Sequence, residues 1–339
     1  MRKIVPIIIV VILLLAGAFF WREQIERQEK YSADAIANPP QFSVHYSFYF
    51  PSLMSISQTT DHGNPTSEIN KDMRGIKDMG FEGVKMSFTF KNDNTLVVSA
   101  AGIAVNKGLK PIGLLAGHTA KPKNRAFDNE EIELWKSFVR TTVSDTKNNI
   151  YYWEIWNEPT MVELFRYGTP QEFVDLLKIT TPIIRAENPQ AKIIVTLDEG
   201  DREAADFTNQ ALELGAGDYF DILSFHPYAS VPYIIPEVFL QKVAMQKTLA
   251  EKYGNRWPLW ITEIGQPVSQ VGEEEQANLA KLVFETARKE KIPVTWLGYT
   301  DQQLPAGTKI GDGTGWGIID ENGRPRKCYE AIKNILKSP

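Results

Sequence analysis

Eight short apolar stretches alternate with amphipathic segments of helical length, and this alternation limits the fold more than any other feature of the sequence. The apolar stretches are rich in β-branched and aromatic residues, which favour strands. They are Phe42–Phe50, Gly83–Phe90, Pro111–Leu115, Tyr151–Trp156, Ile193–Leu197, Tyr219–Phe225, Leu259–Ile264 and Pro293–Tyr299. The predicted helices are Glu68–Met79, Thr95–Lys107, Asp128–Val143, Pro170–Glu187, Arg202–Gly215, Pro236–Tyr253, Gly272–Glu290 and Lys327–Leu336. Such alternation predicts a parallel sheet that helices cover on both faces.

The number of strand–helix pairs predicts an α/β fold of the closed (β/α)8 TIM barrel type. An open, doubly wound sheet is the alternative that the pattern alone leaves. No glycine-rich phosphate-binding sequence follows any of the strands, which counts against an open nucleotide-binding sheet. Neither an internal repeat nor a linker divides the chain after residue 40. We therefore predict a single barrel domain over residues 41–339.

The first 40 residues differ in character from the rest. Arg2 and Lys3 precede a nearly unbroken apolar run from Ile4 to Phe20. A basic start before such a run is typical of an export signal or a membrane anchor, although its length is near the lower limit of roughly 17 residues for crossing a bilayer. We predict a signal peptide or anchor helix over residues 1–21 and a linker over 22–40. The barrel is then expected outside the cytoplasm, on the periplasmic face of the inner membrane, or secreted if the segment is cleaved.

The composition of the chain excludes some classes of binding partner and of metal site. A net charge of −5 argues against nucleic acid, because phosphate binding normally requires a basic surplus. The chain has one cysteine, Cys328, so an internal disulfide framework and a cysteine-rich metal site are excluded. We expect a monomer without a cofactor and without a bound metal.

Two of the predicted strands deliver a glutamate at their carboxyl ends. The fourth strand leads into Asn157, Glu158 and Pro159, and the proline ends the strand because it lacks a backbone donor. The seventh strand carries Glu263 near its end. A lone glutamate would more often be a surface or helix-capping residue. In a barrel, however, the carboxyl ends of the strands surround the active site, so the two carboxylates are expected to meet there.

Such a pair fits the cleavage of a glycosidic bond, which needs a proton for the leaving oxygen and a negative group for the cationic sugar. We predict that Glu158 is the general acid/base, protonated near neutral pH if its pocket is poorly solvated. Glu263 is the predicted nucleophile, ionised and facing the anomeric carbon. Asn157 is expected to hydrogen-bond a sugar hydroxyl beside the scissile bond.

These motifs closely resemble those of clan A glycoside hydrolases, which are retaining (β/α)8 enzymes. The resemblance rests on Trp156-Asn157-Glu158-Pro159, Thr262-Glu263-Ile264-Gly265, Ser224-Phe225-His226-Pro227-Tyr228 and the tail from Gly315 to Tyr329. Within the clan, family 39 and cellulase-like family 5 are most similar, including membrane-tethered members that act on exopolysaccharide. The resemblance implies that His226 and Tyr228 flank the nucleophile and that Trp296 floors the subsite of the cleaved sugar.

The chain also departs from the clan's pattern. An arginine on the second strand often supports the nucleophile in this clan, and Lys85 is the nearest candidate here, although a lysine cannot make the planar two-pronged contact of a guanidinium. Lys85, His45 and His118 are predicted substrate contacts. Asp198 and Glu199 could either shape the leaving-group side or solvate a loop.

Three functions remain open from the sequence. The first is a retaining β-glycoside hydrolase that cleaves a poly- or oligosaccharide through a covalent glycosyl-enzyme intermediate, or a transglycosylase that uses the same pair. The second is a membrane-tethered carbohydrate-binding protein without catalysis, although neither glutamate motif is eroded. The third is a metal-dependent barrel enzyme. The histidines argue against it, because they are few and are not spaced as metal ligands usually are.

Overall fold

The computed structural model describes residues 4–46, 65–117, 126–160, 167–198, 202–229, 234–301 and 315–338. The chain divides into two compact units, residues 1–39 and 40–339. In the first unit a single helix, α1 (Ile4–Ala37), runs through both the apolar stretch and the predicted linker, and it exposes the aromatic side chains of Phe19, Phe20 and Trp21. No helix in the described ranges is both long enough and apolar enough to span a bilayer.

The described residues of the second unit form eight strands and eight further α-helices. The strands are β1 (Phe42–Tyr46), β2 (Gly83–Thr89), β3 (Lys110–Ala116), β4 (Tyr152–Ile155), β5 (Lys192–Thr196), β6 (Ile222–Phe225), β7 (Leu259–Ile264) and β8 (Val294–Leu297). The helices are α2 (Pro65–Met79), α3 (Thr95–Asn106), α4 (Asn129–Thr146), α5 (Pro170–Glu187), α6 (Arg202–Glu213), α7 (Pro236–Lys252), α8 (Val268–Glu290) and α9 (Lys327–Lys337).

The eight strands close into a barrel in sequence order, and every neighbouring pair is parallel. The closure is made by β1 and β8, where Val44 lies opposite Trp296 and His45 opposite Leu297. An open sheet has two edge strands that do not pair with each other, so this pairing closes the sheet. The predicted (β/α)8 barrel is therefore confirmed, and the doubly wound alternative is wrong for this chain.

Local sequence signals explain where several helices begin. Asp128 accepts a hydrogen bond from the backbone N–H of Glu131, whose side chain accepts one in return from the backbone N–H of Asp128. The same reciprocal cap joins Thr169 and Glu172 at the start of α5, where Pro170 occupies the first turn. Such caps satisfy backbone donors that the first helical turn leaves unpaired.

Some boundaries differ from those predicted. Helix α8 starts at Val268, before Gly272, which kinks the helix with a φ of 79°. Strand β6 starts at Ile222 rather than at Tyr219, and a short 3-10 turn, Ala216–Asp218, precedes it in the chain. Residues 47–50 of the first predicted strand lie outside the described residues.

The interior of the barrel has an unusual composition. Apolar and aromatic side chains fill the layer between strands and helices, as expected of a barrel core. Inside the barrel, however, Lys85, Glu154, Thr196, Ser224 and Thr262 are all completely buried. These side chains come from β2, β4, β5, β6 and β7, and they lie beneath the carboxyl ends of the strands that carry Glu158 and Glu263.

Candidate active site

The backbone that carries Glu158 is strained. Trp156 and Glu158 adopt left-handed conformations, with φ of 66° and 47°, which are rare for side chains of this size. The turned backbone at Trp156 places its ring among aromatic residues of the outer layer, with centroids 4.8 Å from Tyr167 and 5.5 Å from Phe127. Gly117 makes room for this ring, because a Cβ atom there would lie 1.9 Å from Cζ3 of Trp156. Conformation and packing together fix the direction in which Glu158 leaves β4.

A second irregularity sets the direction of Glu263. The pairing of β7 with β8 shifts register between Ile261 and Ile264. A bulge of this kind lets two consecutive residues, Thr262 and Glu263, point toward the interior, which regular alternation would not allow. Thr262 is fully buried below, and Glu263 is partly exposed above it.

The segment directly after β6 supplies two residues, each of which contacts one of the two glutamates. His226 lies with Nδ1 2.7 Å from Oε1 of Glu158. The hydroxyl group of Tyr228 donates a long hydrogen bond of 3.4 Å to Oε1 of Glu263. One ligand atom from each of Glu158, His226 and Glu263 lies within 4.8 Å of the other two. The structure thus brings together the four predicted residues Glu158, Glu263, His226 and Tyr228.

In this cluster the charge of each group changes the pKa of its neighbours. Burial raises the pKa of Glu263 and the charge of Glu158 raises it further, while His226 and Lys85 act in the opposite direction. Burial lowers the pKa of His226, but the hydrogen bond and charge of Glu158, with the charge of Glu263, raise it above its usual value overall. The raised pKa of Glu263 disfavours its predicted ionised state, whereas the positive charge of a protonated His226 favours that state.

Lys85 does not lie where a substrate contact would have to be. Its ammonium group is completely buried, 2.7 Å from Oε2 of Glu154, and donates a hydrogen bond to the backbone oxygen of Thr262. The predicted role of Lys85 in substrate binding is therefore wrong, because no part of the side chain reaches the surface. Its partner Glu154 was missed in the sequence, where a glutamate four residues before Glu158 on an apolar strand gave no sign of a buried ion pair.

Trp296 also needs correction. The side chain is completely buried and packs against Phe284 of α8, with ring centroids 6.1 Å apart. It faces the helix layer, so it cannot floor a sugar subsite. The partly exposed Trp316 lies nearer the strand ends, since its Cε3 atom is 3.3 Å from where a Cβ of Gly265 would be. Trp316 belongs to the tail from Gly315 to Tyr329, but no signal in the sequence identified it as a residue near the strand ends.

The remaining predicted residues are less closely tied to the pair. His45 is buried, with Nε2 3.0 Å from the hydroxyl oxygen of Ser87, and its pKa is lowered to about 3 by burial and by the charges of Lys85 and His226. Asn157 is half-buried, and its Oδ1 atom has no hydrogen-bond partner among the described residues. The carboxylate of Asp198 lies 4.0 Å from the ammonium group of Lys242. His118 and Glu199 lie outside the described residues.

Comparison with known proteins adds to this description. No model of a known protein family matches the sequence, and no curated protein matches it. Among solved structures, a family 39 glycoside hydrolase from Bacteroides cellulosilyticus WH2 is similar, with a TM-score of 0.66 and 20% identity over 87% of this chain and 63% of that one. The chain thus spans less than two thirds of that protein.

Two further solved structures are also similar. One is GH5_18 from Streptomyces cattleya in complex with GlcNAc, with a TM-score of 0.68 and 16% identity over 88% of this chain and 81% of that one. The other is an exo-beta-1,4-mannosidase from Opitutaceae bacterium strain TAV5, with a TM-score of 0.64 and 14% identity over 88% of this chain and 59% of that one. At these identities the likeness shows the shared barrel fold.

Proposed function

We propose that the chain is a retaining β-glycoside hydrolase. The observation that carries this proposal is the position of Glu158 and Glu263, which face each other across the mouth of the barrel with carboxylate oxygens within 4.8 Å. Retaining enzymes hold their two carboxyl groups about 5–5.5 Å apart, while inverting enzymes need about 6.5–9.5 Å to admit a water molecule. The short separation favours direct attack by one carboxylate on the sugar.

In the proposed reaction Glu263 attacks the anomeric carbon while Glu158 gives its proton to the glycosidic oxygen. The C–O bond to the leaving group breaks and an ester bond between the sugar and Glu263 forms. Glu158, now a carboxylate, then takes a proton from a water molecule that attacks the anomeric carbon, and this releases Glu263. Tyr228 supports the nucleophile through its hydroxyl group, and His226 contacts the acid/base residue.

The proposed substrate is an O-glycosidic bond of an oligo- or polysaccharide, including an exopolysaccharide. Its support is indirect: proteins of the same fold include a family 39 glycoside hydrolase, GH5_18 and an exo-beta-1,4-mannosidase. We also propose that the apolar N-terminal segment exports the chain or anchors it in the membrane, so that the barrel works outside the cytoplasm as a monomer. Acceptor sugars that compete with water would make the same site a transglycosylase.

The proposal is tested with the full chain on a panel of β-linked oligosaccharides. The Glu263→Gln variant is expected to lose turnover, whereas Glu133→Gln, which changes an exposed glutamate of α4, serves as the matched control. NMR of the first product should show the same anomeric configuration as the substrate, and mass spectrometry with a slow 2-fluoro glycoside should find the sugar on Glu263. Inverted product, or an active Glu263→Gln variant, would reject the proposed mechanism.

A second candidate follows from the same cluster. Glu158, His226 and Glu263 offer one imidazole and two carboxylate ligands within 4.8 Å, a geometry that a divalent cation could also use. The two candidates make opposite predictions for a chelator. Activity that survives dialysis against EDTA supports the glycosyl-enzyme mechanism, and activity that falls and returns with added Zn²⁺ supports the cation. Sugar binding without product would instead support a binding protein.

A further inference from the structure

A chain of buried polar groups lies beneath the two carboxylates, and the proposed reaction does not use it. We propose that Lys85 and Glu154 are positioning residues: through Thr262 they fix the proton of His226 on Nε2, so that Nδ1 is left to share one proton with Glu158. The inference rests on the proposed function, because it concerns how that site holds its catalytic proton.

The first step is the ionised state of Glu154. Its Oε2 atom lies 2.7 Å from the ammonium group of Lys85, and both side chains are completely buried. Burial alone would raise the pKa of Glu154, but the charges of Lys85 and His226 and the hydrogen bonds from Lys85 and Thr196 lower it overall. An ionised carboxylate accepts hydrogen bonds and cannot donate one. Lys85 thereby keeps Glu154 an acceptor.

The second step is the direction of the Thr262 hydroxyl group. This hydroxyl has one proton, and it donates that proton to Oε1 of Glu154 over 2.9 Å. Its oxygen is also 2.5 Å from the hydroxyl oxygen of Ser224 and 3.1 Å from Nε2 of His226. Because the proton is already used, both of these neighbours have to donate. Nε2 of His226 therefore carries a proton.

The third step is the contact between His226 and Glu158. With Nε2 protonated, the other ring nitrogen, Nδ1, faces Oε1 of Glu158 at 2.7 Å. A single proton fits this contact, either on Nδ1 beside a carboxylate or on Glu158 beside a neutral imidazole. The proton that Glu158 delivers to the leaving oxygen is thus held at a defined place. If the proton of a neutral ring lay on Nδ1 instead of Nε2, Nδ1 could no longer accept a hydrogen bond or a proton from Glu158.

The pair of Lys85 and Glu154 also contacts the backbone next to Glu263. Lys85 donates a hydrogen bond of 3.1 Å to the backbone oxygen of Thr262, the residue that precedes Glu263 in the bulge of β7. The titratable groups around His226 are Glu154 from β4, Glu158 beyond β4, Glu263 from β7, Lys85 from β2, His45 from β1 and Tyr228 beyond β6. One buried ion pair therefore contacts the residues that orient both proposed catalytic groups.

The test uses the full chain labelled with ¹⁵N-histidine, which is practical because the sequence has only four histidines. A His226→Asn variant assigns the signal. In the wild type, Nε2 of His226 is expected to stay protonated throughout a pH titration. In the Lys85→Met/Glu154→Met variant, which replaces the pair by apolar side chains of similar length, the Thr262 hydroxyl is free to donate to Nε2, and the ring proton should move to Nδ1. An unchanged Nε2 proton in that variant overturns the inference.

Kinetics provide the second measurement. Loss of a positioned proton should lower kcat about 100-fold, the lower end of what general acid catalysis contributes, with KM changed much less. Thr146→Val is the matched control, because it removes a buried hydrogen bond to the backbone oxygen of Thr142 at the carboxyl end of α4, the end that leads into the start of β4. If the double variant does not fold, Thr262→Val decides, since it removes only the hydroxyl group. Wild-type protein that cleaves no glycoside defeats the proposed function, whereas the position of the Nε2 proton still decides the inference.

Discussion

Lys85 and Glu154 are the two residues whose burial most needs a physical explanation. Removing each charge from water costs several kcal/mol, which the ion pair alone does not always return. Here Glu154 also accepts hydrogen bonds from Thr196 and Thr262, and Lys85 donates one to the Thr262 backbone. These hydrogen bonds offset part of the cost of burying the two charges, and the position of the pair beneath the two carboxylates is consistent with a role in the site.

At the same scale, His226 should control the acidic limb of the pH–activity profile. Glu263 has to be ionised to attack, and burial raises its pKa above the usual 4.5, so activity should fall as the pH drops through that raised value. A protonated His226 lowers the pKa of Glu263, and the His226→Asn variant should therefore shift the acidic limb of kcat/KM to higher pH. The measurement is a pH profile of kcat/KM on one substrate.

Lys136→Gln is the control for this shift, because it also removes one cation, but from the exposed face of α4. Its limb should coincide with that of the wild type. A limb that stays in place in His226→Asn would mean that the charge of His226 does not act on Glu263.

At the scale of elements, the end of β4 depends on a glycine of its neighbour. In Gly117→Ala the new methyl group would lie 1.9 Å from the ring of Trp156, so the ring and the strained backbone leading to Glu158 have to move. Forcing a methyl group into a packed layer costs about 1–3 kcal/mol, and a displaced Glu158 should lower kcat about 100-fold. Thermal unfolding and initial rates measure the two effects.

Gly102→Ala is the same substitution in the middle of α3, where the nearest atom to the new Cβ is Nδ2 of Asn149 at 3.8 Å. It should stabilise the chain by about 0.5–1 kcal/mol, since alanine favours helix over glycine. Equal effects of the two substitutions would show that the contact with Trp156 does not hold the turn.

The elements also show what the sequence could and could not predict. The strands were found because a buried parallel strand is a short apolar run, and β7 was predicted with its observed bounds, Leu259–Ile264. The bulge in β7 could not be found, because it exists only in the register with β8. The resemblance that implied a subsite role for Trp296 did not show which face of β8 carries its side chain, and that face is known only from the barrel, where Trp296 lies opposite Val44 and packs against Phe284. Lys85 and Glu154 gave no local signal, since their pairing joins two strands far apart in the chain.

For the whole molecule, the consequence of this interior is that folding has to bury several ionisable groups in one barrel. Closure of eight strands brings ionisable groups from β1, β2, β4 and β7, and from the segment after β6, into one enclosed space. The electrostatic state of each group then depends on the others, and pH acts on the stability of the entire barrel rather than on a single contact.

His45 gives this dependence a measurable sign. Its folded-state pKa of about 3 lies below the usual 6.5, because burial and the charges of Lys85 and His226 disfavour the imidazolium form. Between these two pH values His45 binds a proton in the unfolded chain but not in the folded chain. The free energy of unfolding should therefore fall as the pH falls, by roughly 1.4 kcal/mol per pH unit. From pH 7 to pH 5 this contribution amounts to about 2 kcal/mol.

Urea unfolding at the two pH values measures this contribution. Between pH 7 and pH 5, His45→Gln should lose about 2 kcal/mol less of its free energy of unfolding than the wild type does. Ser87→Ala, which keeps His45 but removes its hydrogen-bond partner, should lose stability with pH as the wild type does; an equal loss in all three proteins would contradict a neutral His45 in the folded barrel.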